Sequence, residues 1–120
     1  MIEETAEKLE IARIRALEFR TRMLERDIFR LLEKTKTDEG RDSIYEMSFF
    51  TKEAIDRANK CDIPSALKYL SNANFHAGIY KQAEKLSAED DRYKEMVKIL
   101  DRVLTEIKDI LVSKCGCKSR

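Results

Sequence analysis

The single histidine of this chain lies where neighbouring side chains could form a reactive polar cluster. If the surrounding residues form a helix, Asn72 lies one turn before His76, Tyr80 lies one turn after it, and Tyr69 lies two turns before it. Such a patch could contain a general base or a ligand site. We favour the alternative, a half-buried histidine that is satisfied by hydrogen bonds. The sequence contains neither a second histidine nor a Glu-x-x-His motif, so we expect no histidine-based metal site and no di-iron centre.

Three cysteines are the next candidates for chemistry. Cys115 and Cys117 form a Cys-x-Cys pair, whose thiolates could chelate a soft metal or close a strained disulfide. A structural zinc site needs about four ligands, and only Cys61 and His76 could complete one. We favour two exposed thiols without a role, and we expect no cofactor and no metal. Three cysteines also make no disulfide scaffold, which favours a cytoplasmic protein.

Three charged residues near the N-terminus lie among apolar ones. Arg13, Arg20 and Asp27 are seven residues apart, so a helix would place them on its apolar face. A charge there is costly unless it is paired. The three side chains could form an anion site with Asp27 orienting the guanidinium groups. We favour arginine side chains whose charged ends pair with carboxylates across an interface.

The opposite side of the same segment carries a basic stripe, which consists of Lys8, Arg15, Arg22, Arg26 and Lys34. A stripe of this kind can bind nucleic acid. However, residues 1–35 contain eight basic and eight acidic residues, and the whole chain has a net charge of only +1. We therefore favour a solvated, ion-paired face and do not expect nucleic acid as the main partner.

Four segments repeat apolar residues at helical spacing: residues 2–35, 41–60, 63–86 and 89–113. They predict an all-α fold, an antiparallel up-down-up-down four-helix bundle with an over-long first helix. Residues 1–113 would form a single domain and residues 114–120 a flexible tail. The third segment is apolar around most of its circumference, so we expect it to be the most buried helix.

Turn and capping residues place the ends of these helices. Gly40 suits a left-handed backbone conformation in the turn between the first and second helices. Asp62 is a good N-cap and Pro64 tolerates the first helical turn, so the second and third helices should form a tight hairpin. Ser87 and Asp90 resemble a capping box before the fourth helix.

Surplus apolar surface predicts self-association. About ten residues of the first helix would overhang its shorter neighbours, and exposed apolar surface of that kind is usually covered by a partner. We therefore expect a homodimer, or another protein partner, whose interface consists of Ile2, Leu9, Ile11, Arg13, Arg20 and Asp27. Tyr45 and Phe49, one turn apart opposite the main apolar face of the second helix, either extend this interface or enter a wide bundle seam.

Composition sets the broad class. Charged residues make up 39% of the chain while Asn and Gln total four, which is typical of thermophilic, archaeal-like proteins. No apolar run approaches the roughly 18 residues that cross a membrane, so we expect no membrane partner. The basic-then-apolar start of a signal peptide is lacking, which again predicts the cytoplasm.

Residues 53–86 resemble the central helical hairpin of HEPN-type domains, whose second helix often carries a run like Phe75-His76-Ala77. The segment is also similar to a hairpin in small archaeal helical proteins of unknown function. There, Lys60-x-Asp62 would match a Lys-Gly-Asp turn with Cys61 in place of glycine. Active HEPN ribonucleases carry an arginine shortly before the histidine, and this chain has none there. The resemblance thus implies the fold but argues against nuclease activity.

These features together predict a non-enzymatic interaction or assembly module that forms a homodimer. The alternatives are a nucleic-acid-associated protein that uses the basic stripe and a HEPN-like hydrolase remnant centred on His76.

Overall fold

The structure is a computed structural model that describes residue 8 and residues 22–116. Four helices joined by short turns make up the continuous part: α1 (residues 22–33), α2 (Asp38–Asn59), α3 (Ile63–Ala83) and α4 (Asp91–Cys115). No strand occurs within these residues. The predicted all-α four-helix arrangement is confirmed.

Ion pairs between helices show in which direction the helices run relative to one another. Lys34, directly after α1, binds Glu95 of α4 with 2.7 Å between Nζ and Oε1, and Asp27 of α1 binds Arg102 further along α4. The partner's number falls as the α1 number rises, so α1 and α4 are antiparallel. Lys52 of α2 binds Glu25 of α1, so these two helices are also antiparallel. Glu84, at the end of α3, contacts Thr37 before α2 and Arg92 in the first turn of α4. Helix α3 is therefore antiparallel to both, and α2 runs parallel to α4.

The first helix is described only in part. The predicted overhang lies outside the described residues, as do Ile2, Leu9, Ile11, Arg13, Arg15, Arg20 and Cys117. Within the described part, α1 ends at residue 33, two residues before the predicted end. Lys8 is helical and exposed.

Helix α2 begins at Asp38, three residues earlier than predicted, because Thr37 caps it. The Thr37 hydroxyl accepts a hydrogen bond from the Gly40 N–H at 2.9 Å. Gly40 is thus helical, and the predicted left-handed turn position is wrong. Its lack of a side chain serves a close approach instead, since a Cβ there would lie 2.8 Å from Oε2 of Glu84.

The turn between α2 and α3 confirms the predicted hairpin. Asp62 caps α3 by accepting from the Ser65 N–H at 3.3 Å, and Pro64 lies in the first turn. Before them, Cys61 adopts a left-handed conformation with φ of 58°. The N–H of Cys61 donates to the Ala58 carbonyl and that of Asp62 to the Arg57 carbonyl, both at 2.9 Å, which closes the end of α2.

The third helix is shorter than predicted, and the fourth is shifted by two residues towards the C-terminus. Helix α3 ends at Ala83 because Lys85 turns left-handed, with φ of 54°. Asp90 caps α4 by accepting from the Arg92 N–H at 2.9 Å, so Ser87 is not the cap. Helix α4 then continues to Cys115, two residues past its predicted end and into the predicted tail.

The core lies between the four helices and contains, as its largest fully buried side chains, Leu31, Ile44, Met47, Thr51, Tyr80, Ile99, Val103 and Ile107. Helix α2 buries eight residues, whereas α3 buries five. The prediction that the third helix is the most buried is wrong. Its buried residues form one stripe, and the opposite side leaves Leu67 and Phe75 exposed.

Cys61 and Cys115 form a disulfide, and their Cα atoms are 5.5 Å apart. The prediction of an exposed, unpaired thiol at Cys115 is therefore wrong. The two cysteines meet because α2 and α4 are parallel, which brings both C-terminal ends to the same end of the bundle.

Candidate functional site

The residues of the predicted polar patch on α3 have different contact partners. Tyr80 belongs to the core stripe and is fully buried, with its hydroxyl 3.2 Å from the Thr35 hydroxyl. Burial raises the pKa of the Tyr80 phenol. Tyr69 and His76 instead turn towards α2, where aromatic side chains surround them. The Tyr80 hydroxyl therefore pairs with Thr35, and the His76 ring pairs with Phe50.

Four rings in consecutive contact cross from α2 to α3, and we call them the aromatic row: Phe49, Phe50, His76 and Phe75. The ring centroids are 5.3 Å apart for Phe49 and Phe50, and 5.4 Å apart for each of the next two pairs. Phe50 and His76 are stacked, while the outer rings meet their neighbours edge-on. Contacts of this geometry contribute about 0.5–1.5 kcal/mol each beyond apolar burial.

The outer ends of the aromatic row are open. Phe49 is 54% exposed and Phe75 is 66% exposed, whereas Phe50 and His76 are half-buried. Tyr45, one turn before Phe49, is 60% exposed, so the bundle seam does not take in the predicted Tyr45 and Phe49 pair. The outer surfaces of α2 and α3 carry four of the six large hydrophobic side chains that are exposed in the described residues.

The imidazole of His76 lies between two rings, with Phe50 stacked on it and the Phe75 ring edge-on. Within residues 22–116, no hydrogen bond reaches this imidazole. Asn72 is half-buried on the same helix. These contacts place the imidazole in a half-buried, aromatic environment. The described part of the chain holds no group of three His, Cys, Asp or Glu side chains that could bind a metal ion.

The two helices that carry the aromatic row differ in charge. Helix α2 contains six acidic and three basic residues, whereas α3 contains no acidic residue and two lysines, Lys68 and Lys81. Asp42, Glu46 and Glu53 recur with Phe49 at intervals of three and four, so they share one side of α2. The row therefore runs from an acidic surface to one without acidic groups.

Arg57 extends the aromatic surface towards the Cys61 turn. Its guanidinium carbon lies 5.9 Å from the centre of the Tyr69 ring, and Tyr69 in turn stacks on Phe50 at 6.0 Å. The Arg57 Nε is buried without a hydrogen-bond partner in the described part of the chain. The aliphatic and cationic parts of Arg57 thus pack on the aromatic surface.

A buried carboxylate forms the second polar cluster. The Glu84 side chain accepts hydrogen bonds from the Lys36 N–H at 2.7 Å, from the Thr37 N–H at 2.9 Å and from the Thr37 hydroxyl, and it binds Arg92 at 2.9 Å. Burial by itself would raise the pKa of Glu84, but the hydrogen bonds from Thr37 and Lys36 outweigh it and hold the pKa below its ordinary value. Nothing in the sequence pattern singled out Glu84, because the chain is rich in glutamate.

Two of the charged residues predicted on the first helix form ordinary ion pairs with α4. Asp27 binds Arg102 and Lys34 binds Glu95, both on α4, while Arg22 and Arg26 are exposed. Asp27 therefore has a partner within its own chain. These contacts lie beside an open groove of about 180 Å³ between α1 and α4, whose lining combines both charges: Asp27, Arg30, Glu95, Lys98, Ile99 and Arg102.

No helix in the described part of the chain has the length and hydropathy that crossing a membrane requires. No protein-family model matches the sequence, and searches of curated proteins and of solved structures found no similar protein. The resemblance to HEPN-type hairpins therefore stays a prediction.

Proposed function

We propose that this protein is a non-enzymatic assembly module that forms a homodimer by burying the aromatic row of each copy against the other. The observation that carries the proposal is the pair of open ends of the row, at Phe49 and Phe75. Both rings remain in water although the chain has a well-filled core. Contiguous exposed apolar surface on a soluble bundle typically marks an interaction site.

Charge complementarity favours a second copy as the partner. In a two-fold dimer, the same surface of both copies meets itself in opposite orientation. An axis through the aromatic row would place the acidic side of α2, with Glu46 and Glu53, over the partner's α3, which has Lys68 and no acidic residue. Opposite charges would then face each other on both sides of the axis.

The surroundings of His76 support a non-enzymatic role. Its ring contacts Phe50 and Phe75, and no carboxylate or hydroxyl in residues 22–116 hydrogen-bonds to it. We therefore expect no RNA cleavage above background from either the parent chain or a His76→Ala variant. Cleavage that requires His76 would favour the HEPN-like alternative instead.

The aromatic row can be tested by measuring mass with light scattering on a sizing column, over a wide range of protein concentration. We expect a mass twice that of the 14.1 kDa chain. Phe49→Ser and Phe75→Ser should each raise the dimer dissociation constant roughly 10- to 100-fold, since central aromatic contacts dominate interface energy. Val112→Ser is the matched control, because Val112 is an exposed apolar residue of α4 outside the row.

Charge exchange tests whether the partner is a second copy in this orientation. Glu46→Lys and Lys68→Glu should each weaken the dimer, and both changes in one chain should restore much of the affinity. A monomer at all concentrations would overturn the proposal. A dimer that tolerates both serine variants would place the contact elsewhere, for example at the predicted N-terminal interface.

A further inference from the structure

The second residue after α2 has an unusual backbone conformation for its type. Cys61 has φ of 58°, in the left-handed region. That region is disfavoured for every residue with a Cβ and is freely available to glycine. At the end of a helix this position is most often glycine. The chain has a cysteine there, and its sulfur is bonded to Cys115, 54 residues later.

This bond anchors the last turn of α4. The final α4 residue that is buried in the core is Ile110, and residues 112–114 are exposed. Among the described residues, no side chain of 112–114 forms a hydrogen bond or an ion pair with another helix. Leu111, just before these residues, packs half-buried against the core. The disulfide is therefore the connection that holds residues 112–115, beyond Leu111, to the rest of the bundle.

The two bonded cysteines differ in exposure. Cys61 is exposed at the end of the bundle, whereas Cys115 is half-buried. Cys61 is therefore the more open of the two residues to an attacking thiolate, and with attack at its sulfur the Cys115 sulfur is the leaving group.

We propose that Cys61 and Cys115 form a reversible redox latch, which fastens the last turn of α4 to the α2–α3 turn when oxidised and releases it when reduced. In oxidation, two S–H bonds break and one S–S bond forms. Two electrons and two protons pass to a low-molecular-weight disulfide such as oxidised glutathione, which becomes two thiols. Reduction by two equivalents of thiol reverses each of these changes.

Direct observation of the latch requires a background with only these two cysteines, which the Cys117→Ser variant provides. The protein is equilibrated in buffers with varying ratios of reduced to oxidised glutathione. Alkylation and mass spectrometry then give the bonded fraction, and amide hydrogen exchange reports on each segment. We expect the bond to be lost at the reducing end, and exchange in residues 111–115 to rise at least about tenfold there while the centres of α2 and α3 stay protected.

A glycine substitution separates the bond from the backbone conformation. Cys61→Gly removes the bond but suits the left-handed position. Its melting temperature should lie below that of the oxidised parent, by on the order of 10 °C, and above that of the reduced parent by a few degrees. Cys115→Ser keeps Cys61 in place without a partner. It should melt like the reduced parent in both buffers.

Several outcomes would overturn the latch. A bond that survives at every glutathione ratio would be a permanent crosslink, and a bond that never forms would leave no latch. Equal exchange in residues 111–115 in both redox states would mean that the bond does not hold the turn. Because the latch lies at the end of the bundle and the aromatic row lies along α2 and α3, failure of either proposal leaves the other intact.

Discussion

Gly40 and Gly78 are both helical, but of these two only Gly40 lies in close contact with side chains from other parts of the structure. A Cβ at Gly40 would lie 2.8 Å from Oε2 of Glu84 and 2.8 Å from Oγ1 of Thr37. Both atoms belong to the hydrogen-bonded cluster around Glu84, so they cannot move without losing bonds. A Cβ at Gly78 would meet nothing within 4 Å.

The two glycines should therefore respond oppositely to alanine. Gly78→Ala should stabilise the protein by about 0.5–1 kcal/mol, because alanine restricts the unfolded chain and favours helix. Gly40→Ala has the same advantage, but the contact with the buried carboxylate should leave a net loss of about 1–2 kcal/mol. Urea unfolding at low protein concentration measures both. Equal stabilisation by the two changes would mean that the Glu84 and Thr37 side chains move aside for the added methyl group without a loss of stability.

At the scale of the helices, a side chain caps the start of each fully described one: Thr37 for α2, Asp62 for α3 and Asp90 for α4. Asp62 was evident in the sequence because Pro64 follows it in the first helical turn. Asp90 was harder to assign, since Ser87 three residues earlier has an equally suitable side chain. The turn conformation, rather than residue type, selects the cap.

Replacement by alanine distinguishes the two candidates for the α4 cap. Asp90→Ala should lower the free energy of unfolding by about 1–2 kcal/mol. It removes the hydrogen bond that the Arg92 N–H donates to the Asp90 carboxylate, and the ion pair in which 3.4 Å separates the Arg92 Nε from Oδ1 of Asp90. Ser87→Ala should change stability by less than about 0.5 kcal/mol, as at most exposed positions. Thermal unfolding gives both values. A larger loss at Ser87 would restore the capping box that the sequence suggested.

Helix α3 illustrates how a bundle uses only part of an apolar helix. Its sequence is apolar around most of the circumference, yet the neighbours cover one stripe that runs from Ala66 to Tyr80. A helix in a four-helix bundle contacts its neighbours on one side and leaves the other to water. The surplus apolar side is the basis of the proposed dimer contact at Phe75.

At the scale of the whole molecule, contacts between helices hold the bundle together at both ends. The Glu84 cluster joins the α1–α2 turn, the end of α3 and Arg92 at the start of α4. The disulfide between Cys61 and Cys115 joins the α2–α3 turn to the end of α4 at the opposite end. The Glu84 cluster responds to pH, and the disulfide responds to redox conditions.

Acid should weaken the end that Glu84 holds. The pKa of Glu84 is lower in the folded state than its ordinary value of 4.5, so the unfolded state takes up a proton first as the pH falls. The stabilisation is complete above that ordinary value and is lost as the pH falls through the folded-state pKa. The hydrogen bonds from Arg92 lower the pKa of Asp90 as well, which adds a loss of the same sign.

Glu84→Gln should reduce stability at neutral pH by about 3 kcal/mol, because Arg92 loses its buried partner, and should make the decline in acid shallower. Denaturant unfolding at a series of pH values measures both effects. Glu89→Gln, at an exposed residue of the preceding turn, is the control and should keep the parental profile. An unchanged acid slope in Glu84→Gln would assign the pH dependence to other carboxylates.

The sequence by itself determined the helices and the hairpin. Spacing of apolar residues, the Asp62 cap and Pro64 act within a few residues along the chain, so local physical rules predict them. The start of α2, the end of α3 and both ends of α4 lie two or three residues from their predicted positions, because caps depend on turn conformation as well as on residue type.

Tertiary structure decided how the side chains combine. It paired the Tyr80 hydroxyl with Thr35, set Gly40 against Glu84, paired Cys61 with Cys115 and left Phe49 and Phe75 in water. Each of these depends on which helices meet and in which direction they run. Periodicity along one helix defines its apolar faces, but the distances between helices, which set burial, pairing and close approach, arise only once the four are packed together.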